Sequence, residues 1–242
     1  MSSAAPSRAV SPSRASAPFR AAGVSLVIAG LALAAARILE VVSHGQVDAD
    51  DPAASLDYLA AKSGEFVAVG LFLLLAAGAV VVGATALAEI LRVAGLSTLW
   101  VSAASAVALI GAGALVVAGV LHTSGPGPLA YIRGLDPHWG EAAYLAVQQV
   151  GFQAIYGAGV LGVAAWQIAS TVLLWRRRVV PRVLAIFVLP AVVFFVTLIG
   201  ALVDLPEGFF AVHIFGLLVG IPLWCVVVGS ALLFRMLQQP AH

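Results

Sequence analysis

Six long apolar stretches constrain the fold of this chain more than any motif in it. They cover residues 21–42, 66–90, 96–121, 144–175, 183–203 and 209–234, and each is about long enough to cross a bilayer as a helix. Lipid offers the backbone no hydrogen bonds, so apolar runs of this length can pair their own polar groups only as helices. We therefore predict an all-α fold, a polytopic transmembrane bundle of six helices over residues 19–237.

The charged residues are sorted by side of these stretches. One side carries nine arginines and a single acid, Glu89, whereas the other carries three basic residues and ten acids. An excess of arginine marks the cytoplasmic side of a membrane protein. Six crossings leave both termini on that side, so we predict a multi-pass protein of a bacterial cytoplasmic membrane with both termini inside. The arginine clusters suit lipid headgroups, so the expected partner is the lipid bilayer and no nucleic acid.

The two ends of the chain are predicted to lie outside the bundle. Residues 1–18 are mainly Ser, Ala, Pro and Arg and predict a disordered cytoplasmic tail, and residues 238–242 predict a short cytoplasmic tail. A cleaved signal peptide is the alternative, since Arg14 and Arg20 precede the apolar run 23–33 and the small residues 34–36. Cleavage would leave five spans and would place the arginines at 176–178 outside, against the charge pattern.

Small residues and prolines predict how the spans pack. Gly216 and Gly220 lie four apart in the last span, and a similar stripe in the fourth span consists of Ala154, Ala158, Gly162, Ala165 and Ala169. Such stripes let helix backbones approach closely. Pro190 and Pro222 each remove a backbone donor inside a span and predict kinks. Cys225 is the single cysteine and lies in the last span, which predicts a buried thiol and no disulfide.

The longest connections, 45–64 and 122–143, both lie on the predicted outer side. In the second, Asp136 followed by Pro137 and then by Glu141 is typical of a helix start, with Asp136 as the N-cap. The inner connections are short. Any function is therefore expected at the outer end of the bundle.

Arg37, Glu40 and His44 follow one another at helical spacing near the outer end of the first span, which places them on one helix face. Arg37 and Glu40 could form an ion pair at the membrane interface. A functional face is the alternative interpretation, because charges inside a membrane are expensive unless they are used.

Other polar residues gather at the same predicted depth. Four of the five histidines fall there, together with two carboxylates, and the fourth span adds Gln149, Gln153 and Tyr156 along one face. These residues predict an outward-open polar pocket, in which Glu65, Asp204 and Glu40 are the candidate catalytic residues. The candidate substrate-binding residues are Gln149, Gln153, Tyr156, His44, His122 and His213.

Metal and cofactor sites find little support in the spacing. His138 is the fourth histidine on the predicted outer side, and imidazoles together with carboxylates could bind zinc. Glu40 and His44 are the one pair of such residues at helical spacing on a single helix. No metal site is therefore predicted. Haem would need histidines deeper in the bundle. Gly157, Gly159 and Gly162 imitate a dinucleotide fingerprint by spacing, yet no strand precedes them and they predict helix packing. No cofactor is required by the sequence.

The stretch 144–235 resembles a family of six-span bacterial membrane proteins of unknown function that is common in actinobacteria. The resemblance rests on the Gly-rich fourth span, the inner connection Arg-Arg-Arg-Val-Val-Pro-Arg at 176–182, and Pro222, Trp224 and Gly229 in the last span. It implies the six-span architecture, and it implies no activity.

Three classes of function stay open on the sequence. The first is a membrane-embedded enzyme acting on a lipid or isoprenoid, in which Glu65 or Asp204 serves as general acid. Membrane-bound terpene cyclases are similar in length and in their use of carboxylates, although they typically have seven spans. The second is a small-molecule or ion permease, and the third is a non-catalytic partner or sensor subunit. The sequence favours the enzyme, and it leaves the oligomeric state open.

Overall fold

The computed structural model describes residues 12–44, 51–201 and 216–237, and these ranges contain helices and no strand. The predicted all-α fold is thus confirmed. Among these residues, four helical stretches are long and apolar enough to cross a membrane, which agrees with a membrane location. They are Ser16–Val42, Ser63–Val93, Thr98–Ser124 and Pro137–Arg176.

Nine α-helices form the described part of the chain, with three segments of other helix types between them. The α-helices are α1 (Pro12–His44), α2 (Pro52–Ala61), α3 (Ser63–Val93), α4 (Thr98–Ser124), α5 (Pro126–Leu135), α6 (Pro137–Ala146), α7 (Tyr156–Arg176), α8 (Leu189–Ala201) and α9 (Ile221–Leu237). Val147–Ile155 and Gly216–Gly220 are π-helical, and Arg182–Val188 is a 3₁₀-helix.

Helix α1 begins earlier than the sequence predicts. It starts at Pro12, so residues 12–18 of the predicted tail are helical in the structure. Adding a residue to an existing helix costs far less than nucleating one, and the apolar span supplies the nucleus. Residues 1–11 and the predicted tail 238–242 lie outside the described residues.

The predicted fifth and sixth spans are described in part, because residues 202–215 lie outside the described residues. Pro190 and Pro222 are each the second residue of an α-helix, α8 and α9, and each follows a segment of another helix type. Both predicted kink positions thus coincide with a change of helix type. Proline lacks a backbone donor, and the first turn of a helix is where that donor is not needed.

The long helices form a ring in which α9, α1, α3, α4 and α7 are neighbours in that order. Contact between Trp166 of α7 and Trp224 of α9, with ring centroids 5.6 Å apart, closes the ring. Both tryptophans are fully buried, and the core around them consists mainly of alanine, valine and leucine. Because lipid tails are as apolar as this core, close packing stabilises the ring more than the hydrophobic effect does.

Facing glycines bring three of these helix pairs together. A Cβ added at Gly70 of α3 would lie 2.5 Å from the Gly119 carbonyl oxygen of α4, and one added at Gly162 of α7 would lie 2.6 Å from the Gly111 Cα of α4. A Cβ at Gly23 of α1 would lie 2.8 Å from the carbonyl oxygen of Gly229 in α9. Real side chains do not fit at such distances, so these crossings require glycine.

The predicted small-residue stripes are confirmed in part. Gly216 and Gly220 pack against Pro190, and Gly162 packs against α4, but Ala154 and Ala158 are exposed. For Ala154, the difference arises because Val147–Ile155 is π-helical, so this residue is not on the α-helical face that spacing assigns to it.

Three short helices cover the predicted outer end. Asp51 caps α2, and the Asp136 carboxylate accepts hydrogen bonds from the backbone of His138 and Trp139, which confirms the predicted start of α6. A small second core joins these helices to the bundle and consists of Leu56, Leu59, Phe66, Leu129 and Tyr144. Arg133 of α5 lies 2.6 Å from the carboxylate of Asp57 in α2, and this hydrogen bond raises the pKa of Arg133 above its usual value.

Replacing Asp136 by alanine is expected to destabilise the outer helices by about 1 kcal/mol, because two backbone donors at the start of α6 lose their acceptor. Thermal unfolding in detergent measures the loss. Asp136→Asn is the matched control, since asparagine also caps helices, and it should lose little. An equal loss in both variants would mean that the charge of Asp136, and not its cap, stabilises this end.

Candidate functional site

A largely buried arginine, Arg37, joins α1 to α7. The Arg37 side chain is 14% exposed, its Nη1 donates to the Glu40 carboxylate one turn later, and its guanidinium carbon lies 4.0 Å from the centre of the Tyr156 ring. The predicted ion pair between Arg37 and Glu40 is therefore confirmed. The third member, Tyr156, comes from a helix far away in the sequence. Helical spacing in the sequence places it on one helix face with Gln149 and Gln153.

Burial makes this arrangement demanding. A guanidinium inside a membrane span loses its hydration, and the loss is offset when a carboxylate and an aromatic face lie on it. Glu40 and Tyr156 supply both. The Arg37 Nε is buried and has no hydrogen-bond partner in the structure, so one strong donor of this group is left unsatisfied, which costs free energy.

Tyr156 is held by an unusual stretch of backbone. It is the first residue of α7, directly after the π-helix Val147–Ile155, and its side chain is buried. A π-helical segment shifts the register of the side chains that follow it and is frequent at functional sites. The π-helix therefore helps to aim Tyr156 at Arg37.

The same π-helix separates the predicted polar stripe. Gln149 is exposed whereas Tyr156 is buried, and the side chain of Gln153 lies outside the described residues. Next to Gln149, Gln148 has a buried Oε1 that lacks a hydrogen-bond partner in the structure. Sequence reasoning missed Gln148 because it assumed α-helical spacing throughout the span.

Glu65 lies at the corner between α2 and α3. The Tyr58 hydroxyl donates to its Oε2 at 3.2 Å, and the Lys62 ammonium lies 3.1 Å from its Oε1. The hydrogen bond and charge of Glu65 raise the pKa of Lys62 above its usual value. These contacts give Glu65 a role in fixing α2 on α3, in addition to any chemistry.

The outer-side histidines in the described residues differ in burial. His122 is buried and its Nδ1 lies 2.8 Å from the carbonyl oxygen of Ala118, whereas His138 is exposed near Glu141. Asp204, His213 and the side chain of His44 lie outside the described residues. Within the described ranges, no three His, Cys, Asp or Glu side chains are grouped as a metal site requires.

A cavity of about 280 Å³ lies between α2 and α5 at the predicted outer end. Its lining is apolar apart from Arg133, and none of the candidate site residues belongs to it. The lining residues are Leu56, Leu59, Ala60, Pro126, Ala130, Arg133 and Gly134. This cavity is therefore a different feature from the polar pocket that the sequence predicts.

A second polar group lies deeper along α7. Gln167 is fully buried, and its Nε2 donates to the Ile221 carbonyl oxygen at 3.0 Å and to the Cys225 Sγ at 3.3 Å. Trp224 Nε1 donates to Thr171 Oγ1 at 2.8 Å. Cys225 is buried, as predicted. Sequence reasoning did not find this group because its members come from two helices distant in the chain.

In comparisons with known proteins, the chain matches no family model, no curated protein and no solved structure. The resemblance of residues 144–235 to an actinobacterial family therefore stays a prediction. Any functional inference has to come from the side chains themselves.

Proposed function

We propose that the protein is a six-span protein of a bacterial cytoplasmic membrane, with both termini inside, that binds a lipid or isoprenoid at the Arg37 centre. This centre consists of Arg37, Glu40 and Tyr156. The observation that supports the proposal is the Arg37 side chain, which is only 14% exposed inside a candidate span and whose buried Nε has no hydrogen-bond partner. Ionisable groups at such depth mark functional sites because their burial is otherwise costly.

A ligand from the bilayer suits the surroundings of this centre. Ile38, Val41 and Val42 of α1 are exposed apolar residues beside Arg37 and Glu40, so this part of the helix faces lipid. A hydrocarbon chain can lie against such a surface while a hydroxyl or phosphate oxygen accepts the Arg37 Nε hydrogen bond. If the ligand is turned over, Glu40, Glu65 and Asp204 are the candidates for the proton donor.

The test compares two arginines that form the same kind of pair. Arg37→Lys keeps the charge beside Glu40 but removes the Nε donor, and Arg92→Lys does the same at the exposed Arg92–Glu89 pair of α3. Native mass spectrometry of the full chain in mild detergent should detect a retained lipid or isoprenoid in the wild type and in Arg92→Lys. Arg37→Lys is expected to retain at least about tenfold less, the value of one charge-assisted hydrogen bond.

Equal retention by all three proteins would overturn the Arg37 site. A wild type that carries no lipid after reconstitution with a bacterial lipid extract would instead favour a non-catalytic partner or sensor subunit. Circular dichroism and gel filtration of Arg37→Lys distinguish loss of ligand from loss of fold.

A permease is the second candidate function, and one observation favours it. Gln167, Ser170 and Thr171 continue the polar residues of α7 beyond Tyr156, and Gln167 and Thr171 bond to Ile221 and Trp224 just after the π-to-α change at the start of α9. Interrupted helices near polar groups are typical of transporter binding sites. Solute uptake by proteoliposomes that is lost in Gln167→Leu and kept in Arg37→Lys would favour the permease over the lipid-binding protein.

A further inference from the structure

The connection after α7 is a tight loop that is held by hydrogen bonds from its own backbone and from α9. Helix α7 ends at Arg176, Arg178 adopts a left-handed backbone with φ of 51°, and the Val179 amide donates to the Leu174 carbonyl oxygen at 3.1 Å. Arg235 of α9 donates through Nη1 to the carbonyl oxygens of Arg178, at 3.0 Å, and of Val179. These hydrogen bonds fix the backbone of the loop against α9.

A groove of about 810 Å³ runs between this loop and α9. One part of its wall is basic and is formed by Arg178, Arg182 and Arg235. The other part is mainly apolar and is formed by Val179, Val180, Pro181, Ala231 and Phe234. The groove is thus amphiphilic, with positive charge beside a surface that suits hydrocarbon.

An apolar crevice adjoins the groove and extends it toward the bundle. The two share Val180, Pro181 and Arg182, and the crevice is further lined by Leu174, Leu184 and Val228. The crevice itself has a volume of only about 10 Å³, so the room for a hydrocarbon chain lies in the groove.

The arginines of the groove lack acidic partners in the described part of the chain. The ion pairs there are Arg37–Glu40, Lys62–Glu65, Arg92–Glu89, Arg133–Asp57 and His138–Glu141, and none involves the groove. Three neighbouring guanidinium groups repel one another unless an anion lies between them. Arg235 donates to the loop carbonyls through Nη1, and all three arginines are exposed.

The position of the groove identifies the class of anion. Exposed apolar side chains lie on the same elements as the arginines, among them Val183 and Ile186 after the loop and Phe234 at the end of α9. Arginines that border lipid-facing side chains lie at the depth of the phosphates of the adjacent leaflet.

We propose that this groove binds the phosphate of an anionic phospholipid, with Arg178 and Arg182 on the phosphate and an acyl chain along Val180 and Phe234. Arginine suits this task because its planar fork can donate two hydrogen bonds to phosphate. The site is separate from the Arg37 centre, so it stands whether or not that centre binds a ligand.

The test measures phosphatidylglycerol binding to the full chain in detergent by native mass spectrometry. Removing both phosphate contacts, in R178Q/R182Q, is expected to weaken binding about thirtyfold, from roughly 1 kcal/mol for each arginine. The matched control is R20Q/R176Q, which removes the same charge from exposed positions outside the groove and should change binding less than about threefold. Ala231→Trp fills the groove without changing charge and should weaken binding at least about tenfold.

Three results would overturn the proposal. Equal weakening in R178Q/R182Q and R20Q/R176Q would mean that binding follows the general surface charge. Unchanged binding in Ala231→Trp would place the lipid elsewhere. Displacement of the lipid by millimolar inorganic phosphate would make free phosphate the ligand. Phosphatidylcholine serves as the zwitterionic reference and is expected to bind all variants equally weakly.

Discussion

Gly111→Val is expected to destabilise the bundle by about 3 kcal/mol, the upper part of the range for overpacked cores. A Cβ at this position would lie 2.8 Å from the backbone nitrogen of Val163 and 2.9 Å from the carbonyl oxygen of Gly159. Both are backbone atoms of α7, so no side chain can turn aside to make room and the helices have to separate. The free energy of unfolding in mixed micelles, obtained from a denaturant titration, measures the effect.

Gly113→Val provides the matched control in the same helix. An added Cβ at Gly113 meets nothing within 4 Å, so the substitution is expected to change the free energy of unfolding by less than about 0.5 kcal/mol. Gly70 and Gly78 form a second pair of this kind in α3, since Gly70 faces Gly119 and Gly78 faces open space. Equal effects of Gly111→Val and Gly113→Val would mean that the contact between α4 and α7 does not stabilise the bundle.

The sequence predicts the all-α class because apolar length is a local property. The all-α class and the capped start of α6 at Asp136 agree with the structure. Contacts between facing glycines are harder to predict. Which glycine of another helix lies opposite can be inferred only when the order of helices around the ring is known. Gly111 and Gly162 come from different helices and meet through that order.

The candidate site was predicted in part for the same reason. Arg37 and Glu40 are three residues apart, so helical spacing alone predicts their ion pair. Their contact with Tyr156 depends on tertiary packing and on the π-helix before α7, and neither has a periodic signature. The buried group around Gln167 is similar, because its hydrogen bonds cross from α7 to α9.

Arg37→Leu is expected to have the largest effect of any single substitution at the Arg37 centre, a loss of about 3–5 kcal/mol. It removes the guanidinium that donates to the partly buried Glu40 carboxylate, and it takes the cation from the face of Tyr156. A carboxylate that loses such a partner at low dielectric costs more than the missing attraction itself. The free energy of unfolding in mixed micelles measures the loss, and Arg92→Leu at the exposed pair with Glu89 should lose less than about 1 kcal/mol.

A double-mutant cycle separates the charge from the packing at this centre. The double variant Arg37→Leu with Glu40→Leu removes both charges and is expected to recover most of the loss, since apolar pairs often replace buried ion pairs without cost. A stable double variant that no longer retains lipid would mean that the pair is kept for ligand binding at the expense of stability. If the double variant is as unstable as Arg37→Leu, the stabilising contact is the stacking of Arg37 on Tyr156, and Tyr156→Leu should then lose a similar amount.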